Sequence, residues 1–263
     1  MENDQKVKEM VKEKYAGLAV KSQSCCGGGS SKIVGYTVMQ DEYYNQKGYV
    51  PEADLKLGCG MPTEYAGIKE GDTVVDLGSG AGNDVFVARA LVGEKGSVIG
   101  VDFTPEMIEK AEKNKTKLGY TNVEFRLGEI EAIPLKENTA NVVVSNCVLN
   151  LVPNKEKAFK EMFRIIKSGG HFCVSDIVIR GNLPAELKKS AELYAGCVAG
   201  AIQQDEYIKL LQEVGFVNVE IKKTKTIDLP DEAIAQFLSK DLIQEFRSSK
   251  VGIFSITVVG YKK

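Results

Sequence analysis

The sequence predicts a doubly wound, mostly parallel α/β sheet with an N-terminal cap and a small C-terminal addition. Three observations carry that expectation. Short β-branched runs alternate with longer helical stretches. The first run, 73–76, breaks at once into glycines at Gly78, Gly80 and Gly82. A second run, 97–102, ends in an acidic residue, Asp102, 20 residues past Gly82. With 263 residues, 43% of them hydrophobic, the chain can bury one large core. The expected division is a cap at 1–66, a core at 67–228 with a helical insertion at 183–203, and an addition at 229–263 that includes the last strand.

Taken in order, 6–19 reads as a charged amphipathic helix with Val7, Met10, Val11 and Leu18 as a partial apolar stripe. The stretch 22–31 is rich in glycine and serine, a flexible composition, and holds the adjacent Cys25 and Cys26. Turn signals at Gly48, Pro51, Gly58 and Gly60 mark 36–60 as a cap ahead of the sheet. Strand 73–76 is followed by helix 84–92, and strand 97–102 by helix 105–118. There Pro105 suits the first turn and Thr104 the cap. Strands 123–126 and 142–145 follow, then helix 155–166, stopped by Lys167, Ser168, Gly169 and Gly170. Strand 172–177 leads into a helical excursion at 184–202, a helix at 205–214 closed by Gly215, and strand 217–223. A helical stretch at 230–247 and a β-rich run at 254–261 complete the chain, and no internal repeat is present.

In such a fold ligands bind outside the carboxyl ends of the strands, where the strand order reverses. That places Asp76, Gly78, Ser79, Gly80, Gly82, Asp102, Phe103, Thr104, Met107, Glu129, Ile130 and Asn146 around one crevice. Asp102 is suited to the two hydroxyls of a ribose. Glu129 reads either as an acceptor for an adenine amino group or as a solvated loop acid. Phe103 and Ile130 could sandwich the adenine or belong to the core. Dinucleotide sites use G-x-G-x-x-G, whereas the spacing here is G-x-G-x-G with Asp76 two residues ahead. A carboxylate there would repel a pyrophosphate and suit an ammonium group. The stretch resembles the first motif of S-adenosylmethionine (SAM)-dependent methyltransferases, which implies SAM as methyl donor and a Rossmann-like methyltransferase fold.

The net charge of -2 argues against a nucleic-acid partner, and no apolar run is long enough to span a membrane. The charged first residues do not form a signal peptide, so a cytoplasmic location is expected. In that compartment six cysteines point to ligands, nucleophiles or core positions rather than a disulfide framework. Cys173, inside a strand, reads as a small core hydrophobe. Cys59 and Cys197 read by residue type as buried fillers, whereas Cys147 stands at the carboxyl end of a strand that faces the crevice. No pair has C-x-x-C spacing, so a zinc ribbon is not supported.

The stretch Ser145, Asn146, Cys147, Val148, Leu149, Asn150, Leu151, Val152, Pro153 is similar to the arsenite methyltransferases. So are Leu57, Gly58, Cys59, Gly60 upstream and Gly196, Cys197, Val198, Ala199, Gly200, Ala201 downstream. The resemblance runs from about Tyr43 through Ala201. It implies that Cys59, Cys147 and Cys197 hold trivalent arsenic and form the catalytic set, with Cys25 or Cys26 as a redox partner of the first. It also implies arsenite or its thiol complexes as substrate and thioredoxin or glutathione as reductant. Soft trivalent arsenic prefers thiolates, and its lone pair needs no base. The single histidine, His171, begins a strand and is expected to take no part. Two other readings remain at this stage: a C- or O-methyltransferase of an organic metabolite, and a non-catalytic arsenical-binding protein that keeps SAM as a structural ligand.

Overall fold

The computed structural model describes residues 2–21, 43–182, 200–227 and 252–263, together with 235, 239, 243 and 244. Its strands are β1 (Thr73–Leu77), β2 (Ser97–Asp102), β3 (Val123–Leu127), β4 (Ala140–Asn146), β5 (Ile166–Arg180), β6 (Val217–Thr226) and β7 (Gly252–Tyr261). Its helices are α1 (Glu2–Lys21), α2 (Pro62–Tyr65), α3 (Asn83–Val92), α4 (Pro105–Leu118), α5 (Lys155–Ile165) and α6 (Gln204–Val214). One sheet contains the strands in the order β3-β2-β1-β4-β5-β7-β6. Pairing is parallel from β3 through β5 and antiparallel on both sides of β7. The order reverses between β1 and β4, so a crevice opens where those two strands end.

The β-branched runs form strands because alternate side chains meet helices on both faces. Val75, Val143, Phe172 and Val174 pack with Phe159 and Met162 of α5 and with Tyr207 and Leu211 of α6. Val74, Val142, Val144 and Cys173 face the other way, toward Val85, Phe86 and Ala88 of α3 and Ala111 of α4. Each large side chain withdrawn from water in these layers contributes roughly 1.5–3 kcal/mol. Cys173 is therefore a core residue, and burial pushes its thiol well up from its usual pKa.

Local signals set most boundaries. Pro105 occupies the first turn of α4, and Gly119 ends that helix in the left-handed region at φ +67. Thr104 stands at the cap position, but its side chain makes no capping hydrogen bond. Its main chain turns instead toward Asp102, whose carboxylate accepts the Thr104 N–H. The side-chain cap is found at α5, where Asn154 accepts the N–H of Lys157.

Helix α5 does stop ahead of Lys167, Ser168, Gly169 and Gly170, at Ile165, but those residues form the first part of β5 and not a loop. The end of the chain gives those residues partners. Gly169 donates to the Lys262 carbonyl, Lys262 donates to the Gly170 carbonyl, and the Ser168 hydroxyl reaches Lys263. The last strand, β7, lies between β5 and β6 rather than at an edge. Of the helical excursion expected at 184–202, residues 184–199 lie outside the described residues, as does most of 230–247.

Candidate active site

All three glycines of the first turn take positive φ, +75 at Gly78, +50 at Gly80 and +99 at Gly82. That conformation explains the one-residue spacing, because side chains are disfavoured there. The turn is pinned by N–H groups of Gly78 and Ser79 on the Val101 carbonyl, at 2.7 and 3.0 Å. A Cβ on Gly78 would stand 2.4 Å from Val148 Cγ2, so the glycine lets the segment after Cys147 close onto the turn. Gly82 has a different part. It precedes α3, away from the cleft wall, and a Cβ there would meet the rings of Phe125 and Phe86 at 2.9 Å.

The turn floors a cleft enclosing about 1310 Å³, counting space open to solvent. Of the residues expected at a donor site, Asp76, Gly78, Ser79, Gly80, Asp102, Phe103, Thr104, Met107, Glu129, Ile130 and Asn146 line it, and Gly82 does not. One carboxylate oxygen of Asp102 accepts the N–H of Gly80 and the other that of Thr104, each at 2.9 Å. These bonds fix the carboxylate at the cleft wall with lone pairs to spare. The Ser79 hydroxyl is buried with no hydrogen-bond partner among the described residues.

Asp76, Asp84 and Asp102 bring three buried carboxyls together. Burial, then Asp84, then Asp102, pushes the Asp76 carboxyl well above the carboxylate range. Asp84 is pushed up to about 6 by burial, although hydrogen bonds from Asn146 and Tyr43 pull the other way. Such a wall favours a cationic ligand and disfavours a pyrophosphate. A sulfonium nucleoside with an amino-acid tail fits these residues: Asp76 for positive charge, Asp102 for ribose hydroxyls, and the glycine turn for close approach.

Beside this wall lie two of the predicted thiols. Cys147 follows β4 at φ +61, held there by its N–H on the Ser175 carbonyl at 2.7 Å. Cys147 lines the cleft; Cys59 is buried just behind, next to its lining neighbour Gly58. The Asn146 side chain ties the two segments together. Its Oδ1 accepts the N–H of Cys59 at 3.0 Å and of Gly60 at 3.2 Å. Its Nδ2 faces the Gly60 carbonyl, the Asp84 carboxylate and the Tyr43 hydroxyl at 2.8, 3.0 and 2.6 Å.

The glycines around Cys59 make this approach possible. A Cβ on Gly58 would stand 2.8 Å from Asn146 Nδ2, and one on Gly60 would stand 2.4 Å from Ser175 Oγ. Tyr207 relates the thiols electrostatically. Burial and Asp176 push its phenol up, and Cys59 and Cys147 are both near enough to add to the effect. Cys197, Cys25 and Cys26 lie outside the described residues. Among the described residues no three His, Cys, Asp or Glu side chains form a metal-ion cluster.

Two features of the cleft are absent from the expected set. Tyr43 and Asp84 are buried in its wall, the phenol donating toward Asp84 Oδ1 at 2.9 Å. Asp84 sits in the first turn of a helix, where an acid also reads as a partner of the helix dipole. Above, α1 contributes Lys8, Val11 and Tyr15 to the lining. Lys8 pairs with both Glu129, at 2.7 Å, and Glu131. Glu129 is thus a half-exposed acid already engaged by a lysine. His171 lies away from the cleft, its ring against the Ala66 carbonyl and beside Tyr261.

The methyltransferase-domain family matches residues 68–215 of the chain. An arsenite methyltransferase from Halobacterium salinarum is 43% identical over 230 residues, covering 82% of this chain and 59% of that protein. One from Homo sapiens is 33% identical over 228 residues, covering 78% of this chain and 60% of that protein. The chain therefore spans about three fifths of the length of these curated relatives. The crystal structure of an arsenic(III) S-adenosylmethionine methyltransferase from Chlamydomonas reinhardtii matches with a TM-score of 0.65 at 36% identity, covering 78% of this chain and 67% of that one. Among the described residues no helix is long and apolar enough to cross a membrane.

Proposed function

The chain belongs to the methyltransferase-domain family and, within it, to the arsenite methyltransferases, and on that footing we propose that it transfers methyl groups from SAM to thiolate-bound trivalent arsenic. The observation that carries this reading is the placement of Cys147. It stands at the end of β4, at the reversal of strand order, with the Cys59 segment bonded to the preceding residue and the glycine turn pressed against the following one.

The chain's own residues divide the work. Asp76 faces the positive charge of the donor, Asp102 its ribose, and Phe103, Met107 and Ile130 its adenine. Cys59, Cys147 and Cys197 hold the arsenic, whose lone pair then points at the donated methyl. The arsenic–carbon bond forms as the carbon–sulfonium bond breaks, and S-adenosylhomocysteine leaves as a neutral thioether. Confining acceptor and donor in line is worth roughly 7–11 kcal/mol in favourable cases. No proton leaves the acceptor, so no histidine base is required.

Methyl transfer formally oxidises arsenic by two electrons. Two cysteine thiolates restore the trivalent state by closing a disulfide, and thioredoxin or glutathione reopens it by exchange. Cys25 or Cys26 takes part in that cycle. The compartment is the cytoplasm, where thiols stay reduced.

The test is methylated product from purified protein supplied with SAM, arsenite and a thiol reductant. Cys147→Ser and Cys197→Ser are each expected to abolish it while S-adenosylhomocysteine binding stays near wild type. Full activity in both variants would sink the reading.

A further inference from the structure

Asn146 does more than line the cleft. Its carbonyl oxygen accepts N–H groups from Cys59 and Gly60, across separations of 87 and 86 residues, and its covalent neighbour is Cys147. We propose that Asn146 is a positioning residue for the thiol site: its amide holds the Cys59 main chain beside Cys147, while Asp84 and Tyr43 fix which way the amide points. The proposal rests on the arsenic reading above.

A carboxamide can turn half a revolution about its last bond at little steric cost, so its direction is decided by its partners. Turned over, the NH2 group would face two N–H donors from Cys59 and Gly60. In the observed direction it faces the Gly60 carbonyl, the Tyr43 oxygen and the Asp84 carboxylate. A carboxylate only accepts, and the Tyr43 hydroxyl has the Asp84 carboxylate and the Gly60 carbonyl as acceptors for its own proton, so its oxygen is left to accept and both oxygens favour the same orientation. Gly58 and Gly60 allow the contact, since a Cβ at either would strike Asn146 or Ser175. The Ser255 hydroxyl donates to the Cys59 carbonyl. Cys59 is thereby located through its backbone, at a fixed place relative to Cys147.

The experiment is a double-mutant cycle on the full chain, reading arsenite affinity by equilibrium dialysis under reducing conditions. Asn146→Ala is expected to raise the arsenite Kd about tenfold when Cys59 is present and less than about twofold in a Cys59→Ser background. Tyr43→Phe removes only the hydroxyl and carries the same test if Asn146→Ala does not fold. It is expected to raise Kd about threefold with Cys59 and leave it unchanged without it. A merely structural role would give equal losses in both backgrounds, and that outcome, or an unchanged Kd in the presence of Cys59, overturns the proposal. Wild-type protein that binds no arsenite overturns the proposed function and this inference together. Wild-type binding with equal losses in the two backgrounds overturns this inference alone.

Discussion

Cys147 shows how a single residue is forced into an uncommon shape by its site. A side chain with a Cβ at φ +61 costs on the order of 1–3 kcal/mol, stored where the chain turns from β4 into the crevice. Replacing it by glycine relieves that strain, whereas alanine keeps it. Cys147→Gly is therefore expected to be more stable than Cys147→Ala by about 1 kcal/mol in urea unfolding, with both variants inactive on arsenite. Asp84 supplies a pH signature. Burial pushes its carboxyl up to about 6, with Asp54 adding to the rise and Asn146 and Tyr43 opposing it; Asp76 is a further acidic neighbour. Between about pH 4 and about pH 6 the folded chain holds a proton that the unfolded chain has released, so this group's contribution to stability falls as pH rises. Asp84→Asn lacks that titration. Its stability relative to wild type is expected to climb across the same window and level off above it, and a difference that stays constant with pH excludes the account. That Asp76 and Asp102 line the cleft was legible in the sequence because each stands near the carboxyl end of a β-branched run. The parts played by Tyr43, Asp84 and the Asn146 amide were not, because their partners stand 41 to 103 residues away.

Among the elements, the glycine turn is the least tolerant of change. Gly78→Ala must place a Cβ 2.4 Å from Val148 while keeping φ +75. It is expected to cost on the order of 1–3 kcal/mol in unfolding free energy and to weaken binding of S-adenosylhomocysteine, as calorimetry would show. Helix α1 is held by burial of Val11 and Ala19 as well as by Lys8 between Glu129 and Glu131. Lys8→Ala is expected to weaken S-adenosylhomocysteine binding by about threefold while sparing the fold, since a partly exposed ion pair contributes modestly. Strands and helices with a clear apolar period were readable: β2 and α4 lie at the expected 97–102 and 105–118. The start of β5 was not, because Ser168, Gly169 and Gly170 find hydrogen-bond partners at the far end of the chain, in Lys262 and Lys263. The place of β7 between β5 and β6 was equally hidden, as pairing across such separations leaves no local trace.

At the scale of the whole molecule, the reversal of strand order between β1 and β4 opens one crevice, and the proposed function assigns both donor and acceptor to it. Segments near residues 59, 78, 102 and 147 meet there although they are scattered along the chain. Saturation of the donor half alone is expected to stabilise the fold. S-adenosylhomocysteine at about a hundred times its Kd should add about 2.7 kcal/mol to the unfolding free energy, in wild type and in Cys147→Ser alike. A Cys147→Ser protein that gains nothing from the nucleoside would contradict independent occupation of the two halves. The roof over the cleft has a kinetic corollary. Lys8, Val11 and Tyr15 of α1 line the cleft and Lys8 is paired with Glu129, so release of bound S-adenosylhomocysteine is expected to quicken as added salt screens that pair, which stopped-flow displacement would show.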